Sequence, residues 1–308
     1  LAAGSYTFTV KDAAGVVSTI STTIIYANSA PTDISLTSVT LYENKASGTL
    51  AGTLGSTSNG SGNTYTYTLV SGTGDTDNTK FTIIANEVRT SQVLDYEAKP
   101  GYSIRVRSTT QYGFSFDKTL TIQVTDVNEV PTLNAIANQT LCYTPSGQMI
   151  ALSGISAGPE SGQTTTTTVS SDNPALFQAL SVAGNQIRYT VALNQSGVAT
   201  VTVKVQDNDG TANGGVDEFS RTFTIRVNAL PVISISSNLG TSISKGATAL
   251  LTATGGTSYQ WSNASGIISG QNGAVLTVRP LQGTTYTVSV TNASGCVSTQ
   301  NITIQVVD

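Results

Sequence analysis

An all-β chain of tandem antiparallel β-sandwiches is what the 308 residues predict, on three observations. Apolar or β-branched residues alternate with polar ones through Tyr6-Thr7-Phe8-Thr9-Val10, Tyr65-Thr66-Tyr67-Thr68-Leu69, Val201-Thr202-Val203-Lys204-Val205 and Tyr286-Thr287-Val288-Ser289-Val290. A period of two places successive side chains on opposite faces of a strand. Gly and Pro punctuate these runs about every 8–12 residues, and no stretch carries the i, i+3, i+4, i+7 apolar spacing of a helix. A short connection containing Asn or Asp leads into proline at Pro31, Pro131 and Pro231, and intervals of about 100 residues suit one sandwich each.

Taken in order, residues 1–30 supply two strands, Ser5 to Val10 and Val17 to Tyr26, joined by a Lys11-Asp12-Ala13-Ala14-Gly15 turn. They read as the closing hairpin of a truncated sandwich, and the chain as an internal or processed piece of something longer. A lone hairpin is marginal in water, so residues 1–30 are expected to lean on another chain segment or on a strand-adding partner. Residues 31–130 and 131–230 then form complete domains, and 231–308 a shorter one. Proline keeps the residue before it extended. The modules are therefore expected end to end, as an extended rod with few concave clefts, which favours spacing or adhesion over catalysis.

Composition narrows the chemistry. There are no histidines, which removes the usual general base, the Ser-His-Asp and Cys-His nucleophile systems and every His-containing metal site. The net charge of -4 comes without a Lys/Arg cluster, so nucleic acid and anionic membranes are not expected as partners. No apolar run approaches the ~20 residues that span a bilayer. Two cysteines make neither a disulfide-dense scaffold nor a four-ligand metal site.

Three acidic motifs in the second module carry a family resemblance: Tyr42-Glu43-Asn44, Leu94-Asp95-Tyr96-Glu97 and Asp126-Val127-Asn128-Glu129-Val130-Pro131. In that order and spacing they resemble the cadherin-like repeats of bacterial surface proteins. The third module, with Gly158-Pro159-Glu160, Ser171-Asp172-Asn173-Pro174 and Asp207-Asn208-Asp209-Gly210, is similar to bacterial immunoglobulin-like repeats. The last, with Tyr259-Gln260-Trp261 and Asn292-Ala293-Ser294-Gly295-Cys296, resembles immunoglobulin-like or PKD-like repeats of very large secreted adhesins, including those of gliding bacteria.

That resemblance implies a calcium site. Calcium takes six to eight oxygen ligands, drawn from carboxylates, carbonyls and water. The lower half would be Glu43, Asp95, Glu97, Asp126, Asn128 and Glu129, with Asp95 and Glu97 on one side of an extended segment. Glu160, Asp207 and Asp209 of the third module would complete it, although Glu160 stands where the family has a doubled aspartate. Eight of the chain's 18 acidic residues would gather there. The joints before Pro31 and Pro231 lack such acids: the loop Ser56 to Asn63 and Thr110 stand where the family places aspartates. The alternative is that these acids are solvated turn residues.

Cys142 lies near the end of the third module's opening strand and Cys296 in the last module's closing turn, which in immunoglobulin-like sandwiches faces the preceding domain. Either they form an interdomain disulfide, or each is a lone small apolar residue. Trp261 suits the buried strand-C tryptophan of such sandwiches better than a sugar-stacking platform. Asp75 and Asp77 read as turn chemistry rather than a peripheral ion site, and Asp95 and Glu97 lack the cleft a glycosidase pair needs.

The expected function is a non-catalytic segment of a secreted bacterial cell-surface adhesin or filament. It would act as a calcium-stiffened spacer in gliding motility or attachment. Its partners would be neighbouring repeats of the same parent chain and a surface glycan or protein. The competing expectation is an accessory stalk of a large secreted glycan-degrading enzyme.

Overall fold

A computed structural model describes residues 4–24, 29–60 and 62–308. It is all-β and falls into two compact units. Unit 1 comprises Leu1–Glu129 with Pro159–Gly162 and Asp209–Val216, and unit 2 comprises Val130–Gly158, Gln163–Asn208 and Asp217–Asp308. Among the described residues, no helix is long and apolar enough to cross a membrane.

Unit 1 begins with strands β1 (Gly4–Lys11) and β2 (Val17–Ile24), paired antiparallel with Phe8 opposite Ile20. The expected end of the second strand, at Tyr26, lies outside the described residues. Ser5 and Thr7 bond Thr23 and Ser21 across one face, while Phe8, Val10 and Ile20 stand exposed. The sandwich that follows uses β3 (Pro31–Ser38), β4 (Leu50–Ser58), β5 (Tyr65–Leu69), β6 (Phe81–Ile84), β7 (Glu87–Thr90), β8 (Gly101–Thr110) and β9 (Ser115–Gln123). Its sheets run β3-β4-β7-β6 and β5-β8-β9. Ile34, Leu54, Phe81, Val88, Ile104, Val106 and Ile122 close the core between them, each on the inward side of an alternating strand.

Unit 2 holds two further cores. The first is built by β10 (Gln139–Cys142), β11 (Gln148–Ala151), β12 (Thr166–Ser171), β13 (Phe177–Ala183), β14 (Gln186–Val191), β15 (Gly197–Gln206) and β16 (Glu218–Asn228). Its sheets are β10-β16-β15-β12 and β11-β14-β13, with Ile187, Val201, Val203, Val205 and Ile225 fully enclosed. The second core is built by β17 (Ser234–Ser237), β18 (Ser242–Ser244), β19 (Ala249–Thr254), β20 (Ser258–Trp261), β21 (Ile267–Ser269), β22 (Val275–Val278), β23 (Thr284–Thr291) and β24 (Val297–Val307). Its sheets are β17-β19-β22-β21 and β18-β24-β23-β20.

Among the described strands, two pairings depart from the antiparallel rule: β10 runs parallel to β16, and β18 parallel to β24; the isolated bridge between Tyr42 and Thr125 is parallel as well. In the last sandwich the opening segment changes sheets, with β17 in one and β18 in the other. A segment that crosses the sandwich edge in this way meets the closing strand in the parallel sense.

Trp261 is 1% exposed, and its Nε1–H donates to the Gly273 carbonyl at 3.0 Å. It is therefore a core residue rather than a platform for a sugar. Trp261→Phe keeps a ring in the core but orphans that carbonyl, which costs about 1–3 kcal/mol. The expected result is a lower urea midpoint with an unchanged slope. Circular dichroism should follow it, since Trp261 is the chain's one tryptophan.

Candidate metal centre

Four carboxylates of unit 1 converge. Glu43, Glu97, Asp126 and Glu129 each place an oxygen within 4.8 Å of the others. The local backbone explains how. Glu43 N–H donates to the Thr125 carbonyl and Thr125 N–H to the Leu41 carbonyl, which ties the first motif to the exit strand. Asn44 then adopts φ +57°, a left-handed conformation that asparagine tolerates better than most residues. Its N–H meets the Leu94 carbonyl and its carboxamide donates to Glu129 Oε1.

Glu43 is 1% exposed. Its Oε2 accepts the Tyr96 N–H at 2.6 Å and its Oε1 the Val127 N–H at 3.0 Å. One buried carboxylate thereby joins all three acidic motifs, and each of its oxygens keeps a lone pair for a cation. Glu160 adds a fifth acid: its Oε1 accepts the Glu129 N–H at 2.6 Å. The Oε2 atoms of Glu129 and Glu160 are buried without a hydrogen-bond partner, a condition that normally signals a missing ligand, ion or water.

The electrostatics follow from crowding. Among the described residues, no lysine or arginine ion-pairs with any of these five acids. Burial, the adjoining Glu160 carboxyl and the charges of Glu43 and Glu97 push the Glu129 carboxyl up to about 8. Glu97 is raised as well, by desolvation and by the charges of Glu43, Asp126 and Glu160.

The other acids expected at this site are placed differently. Asp95 is not one of the four. Residues 96–98 form a turn rather than the extended segment expected for Asp95 and Glu97, closed by Ala98 N–H on Asp95 Oδ1 at 2.8 Å. In a turn, residues two apart do not share a side. The Asn128 carboxamide donates to the carbonyls of Gly210 and Val216, and its own carbonyl accepts the Val216 N–H. Asp209 and Asp126 line one cavity of about 180 Å³ with Val127, Asn128, Ala212 and Asn213. Asp207 belongs to unit 2, where it is buried and its N–H donates to the Asp217 carbonyl.

Two further residues contribute that are not among the expected ligands. Asn44 orients Glu129, and Lys45 donates to the Asn213 carbonyl at 2.9 Å. A polar residue directly after a buried glutamate was the available signal for Asn44. Nothing local marked Lys45.

Asp75 and Asp77 prove unlike one another. Asp75 Oδ2 accepts the Gly72 N–H, as a turn residue does. Asp77 is 4% exposed and accepts Lys99 Nζ at 2.6 Å and the Ser103 N–H at 2.7 Å. Its charge is met by a cation of the chain itself.

At the connection before Pro31, residues 25–28 lie outside the described residues. Gly60 N–H donates to Ser29 Oγ at 2.6 Å and the Asn63 carboxamide to the Ser29 carbonyl, and both of these bonds are between neutral groups. In unit 2, Cys142 and Cys296 are joined by a disulfide with Cα atoms 5.6 Å apart. Beside it, Asn292 donates to the Ala229 carbonyl and Tyr143 N–H to the Asn228 carbonyl.

No family model and no curated protein matches the chain. Among solved structures it is similar to extracellular cadherin domains 3–6 of protocadherin gamma B2, at 16% identity and a TM-score of 0.44, over 99% of this chain and 84% of that one. It is likewise similar to the EC3-6 cis-dimer structure of protocadherin gammaB7, at 16% and 0.49 over 99% and 83%. Mouse cadherin-23 EC22-24 gives 16% and 0.47 over 91% and 100%.

Proposed function

We propose that the chain is a non-catalytic spacer segment of a secreted bacterial cell-surface adhesin or filament, of the gliding-motility or attachment type, and that calcium stiffens it. The observation that carries this reading is the convergence of Glu43, Glu97, Asp126 and Glu129 within 4.8 Å. The donor set is all oxygen, as a hard cation requires. The orphaned Oε2 atoms of Glu129 and Glu160 fit the same need. Like charges ~4 Å apart repel by roughly 1–4 kcal/mol per pair in a partly shielded site, and a bound divalent ion reverses that sign. Asp209, on the shared cavity, is the next ligand in this reading; Asp95 and Asn128 support the loops around it.

A calcium ion would hold Pro159–Gly162 to the exit segment Asp126–Glu129 through Glu160. Neighbouring repeats of the parent chain, and a surface glycan or protein, are the partners such a spacer would present. The accessory stalk of a glycan-degrading enzyme draws no support from Trp261, which is enclosed. Limited proteolysis with and without a chelator tests the proposal. Chelation is expected to speed cleavage near residues 126–131 by about tenfold or more, the factor set by ~1.4 kcal/mol of local stability, and to leave 29–32 unchanged. Equal acceleration at both places would overturn it.

A further inference from the structure

The disulfide in unit 2 does more to the covalent path than fasten two loops. Cys142 is the last residue of β10, and Cys296 immediately precedes β24. The bridge spans a sequence separation of 154. Almost all of unit 2, from β11 through β23, therefore lies inside the closed loop. Only the segments before Cys142 and after Cys296 lie outside it, and they contain β10 and β24.

We propose that this bridge is a tension shunt: force applied along the chain enters unit 2 through residues 130–142, crosses the sulfur atoms and leaves through residues 296–308. The strands outside the loop suit that path. β10 lies along β16 with Gln139 opposite Ile225 and Cys142 opposite Asn228. β24 lies along β23 through eight pairs, from Val297 opposite Thr291 to Ile304 opposite Thr284, and along β18 through three more. Tension directed along these strands shears their hydrogen bonds together, whereas tension across them would open the bonds one at a time. Both strands are already extended, so even complete loss of their pairing yields little new length. About 26 residues, or ~90 Å of chain, lie on the path, against about 180 residues and ~640 Å without the bridge. Cys296 is fully buried, and the connection Ala229 to Ile233 lies within the loop, where it carries no tension.

The proposal deepens the spacer reading and rests on it for its purpose, but its test reads length and not calcium, so the two can fail separately. The full chain is pulled from its two ends, oxidised, with the sandwich of unit 1 as an internal unfolding reference. The expected trace shows the unit 1 step and no step longer than ~90 Å from unit 2. The double variant Cys142→Ser, Cys296→Ser, checked for native circular dichroism beforehand, is expected to add two steps of ~200–300 Å each. A step of that size from unit 2 in the oxidised wild type overturns the proposal. So does a folded double variant that adds none, because resistance would then reside in the sandwiches. If the double variant does not fold, the oxidised wild-type trace decides alone.

Discussion

Glu43→Ala is expected to destabilise unit 1 by about 3–5 kcal/mol in calcium and by less in chelator. The side chain is 1% exposed and accepts the N–H groups of Tyr96 and Val127. Its removal orphans the buried Val127 N–H, which costs about 1–3 kcal/mol, and the half-buried Tyr96 N–H, which costs less. In chelator part of that loss is offset, because one member of a crowded set of like charges has gone. In calcium the variant also forfeits the ion, and an ion present at 100 times its Kd contributes about 2.7 kcal/mol to the wild type. Urea unfolding in the two conditions checks this: the gap between wild type and variant should widen on adding calcium. A gap of the same size in both would mean that Glu43 is only a structural acceptor.

The second large effect falls on Asp77, with the opposite electrostatic logic. Asp77→Ala is expected to cost about 1–3 kcal/mol, chiefly through the orphaned Ser103 N–H, since Lys99 is 41% exposed and its pairing adds less than about 1 kcal/mol. Lys99 would lose its carboxylate and keep only the Tyr102 ring, 5.4 Å from its ammonium, and Ser103 N–H would lose its acceptor. Burial, the largest single influence on Asp77, raises its pKa, but the bonds from Lys99 and Ser103 together outweigh it and leave the carboxyl below its ordinary value. A depressed folded pKa contributes stability that is fully present above the unfolded value, ~3.9, and is lost as pH falls through the folded one. The stability difference between wild type and Asp77→Ala should therefore hold at neutral pH and shrink below about pH 4. A difference that instead grows on acidification would show that the pair does not act through its charge.

Much of the fold was legible because burial and strand geometry write the same period. Val201, Val203 and Val205 alternate in sequence and are all fully enclosed, and Trp261 lies where its alternation put it. The acidic motifs were legible for a different reason: they resemble those of cadherin-like repeats, and that resemblance implies that they meet at one end of the module. Three features were not. The parallel pairings of β10 and β18 depend on which sheet a short opening segment joins, and alternation is silent about that. The turn at residues 96–98 depends on a cap from Asp95, which reads in sequence like any acid in a strand. Asp77 looked like turn chemistry because its partner Lys99 lies 22 residues away, and no local rule pairs residues at that distance.

The contrast between Asp77 and the cluster around Glu43 locates the functional question. Asp77 and Glu43 are both buried carboxylates that accept backbone N–H groups, whereas Glu97 and Asp126 are exposed. Asp77 finds a cation within the chain, while Glu43, Glu97, Asp126 and Glu129 have only one another and Glu160, with Glu129 pushed up to about 8 as a result. The most direct test is calcium titration by calorimetry on the chelator-stripped chain, beside Glu97→Gln, Asp126→Asn. Saturable binding, weakened by at least about tenfold (~1.4 kcal/mol) in the double variant, is the expected result. Absence of heat and of any melting shift up to millimolar calcium, or the same affinity in the double variant, would contradict the assignment of these carboxylates to a cation.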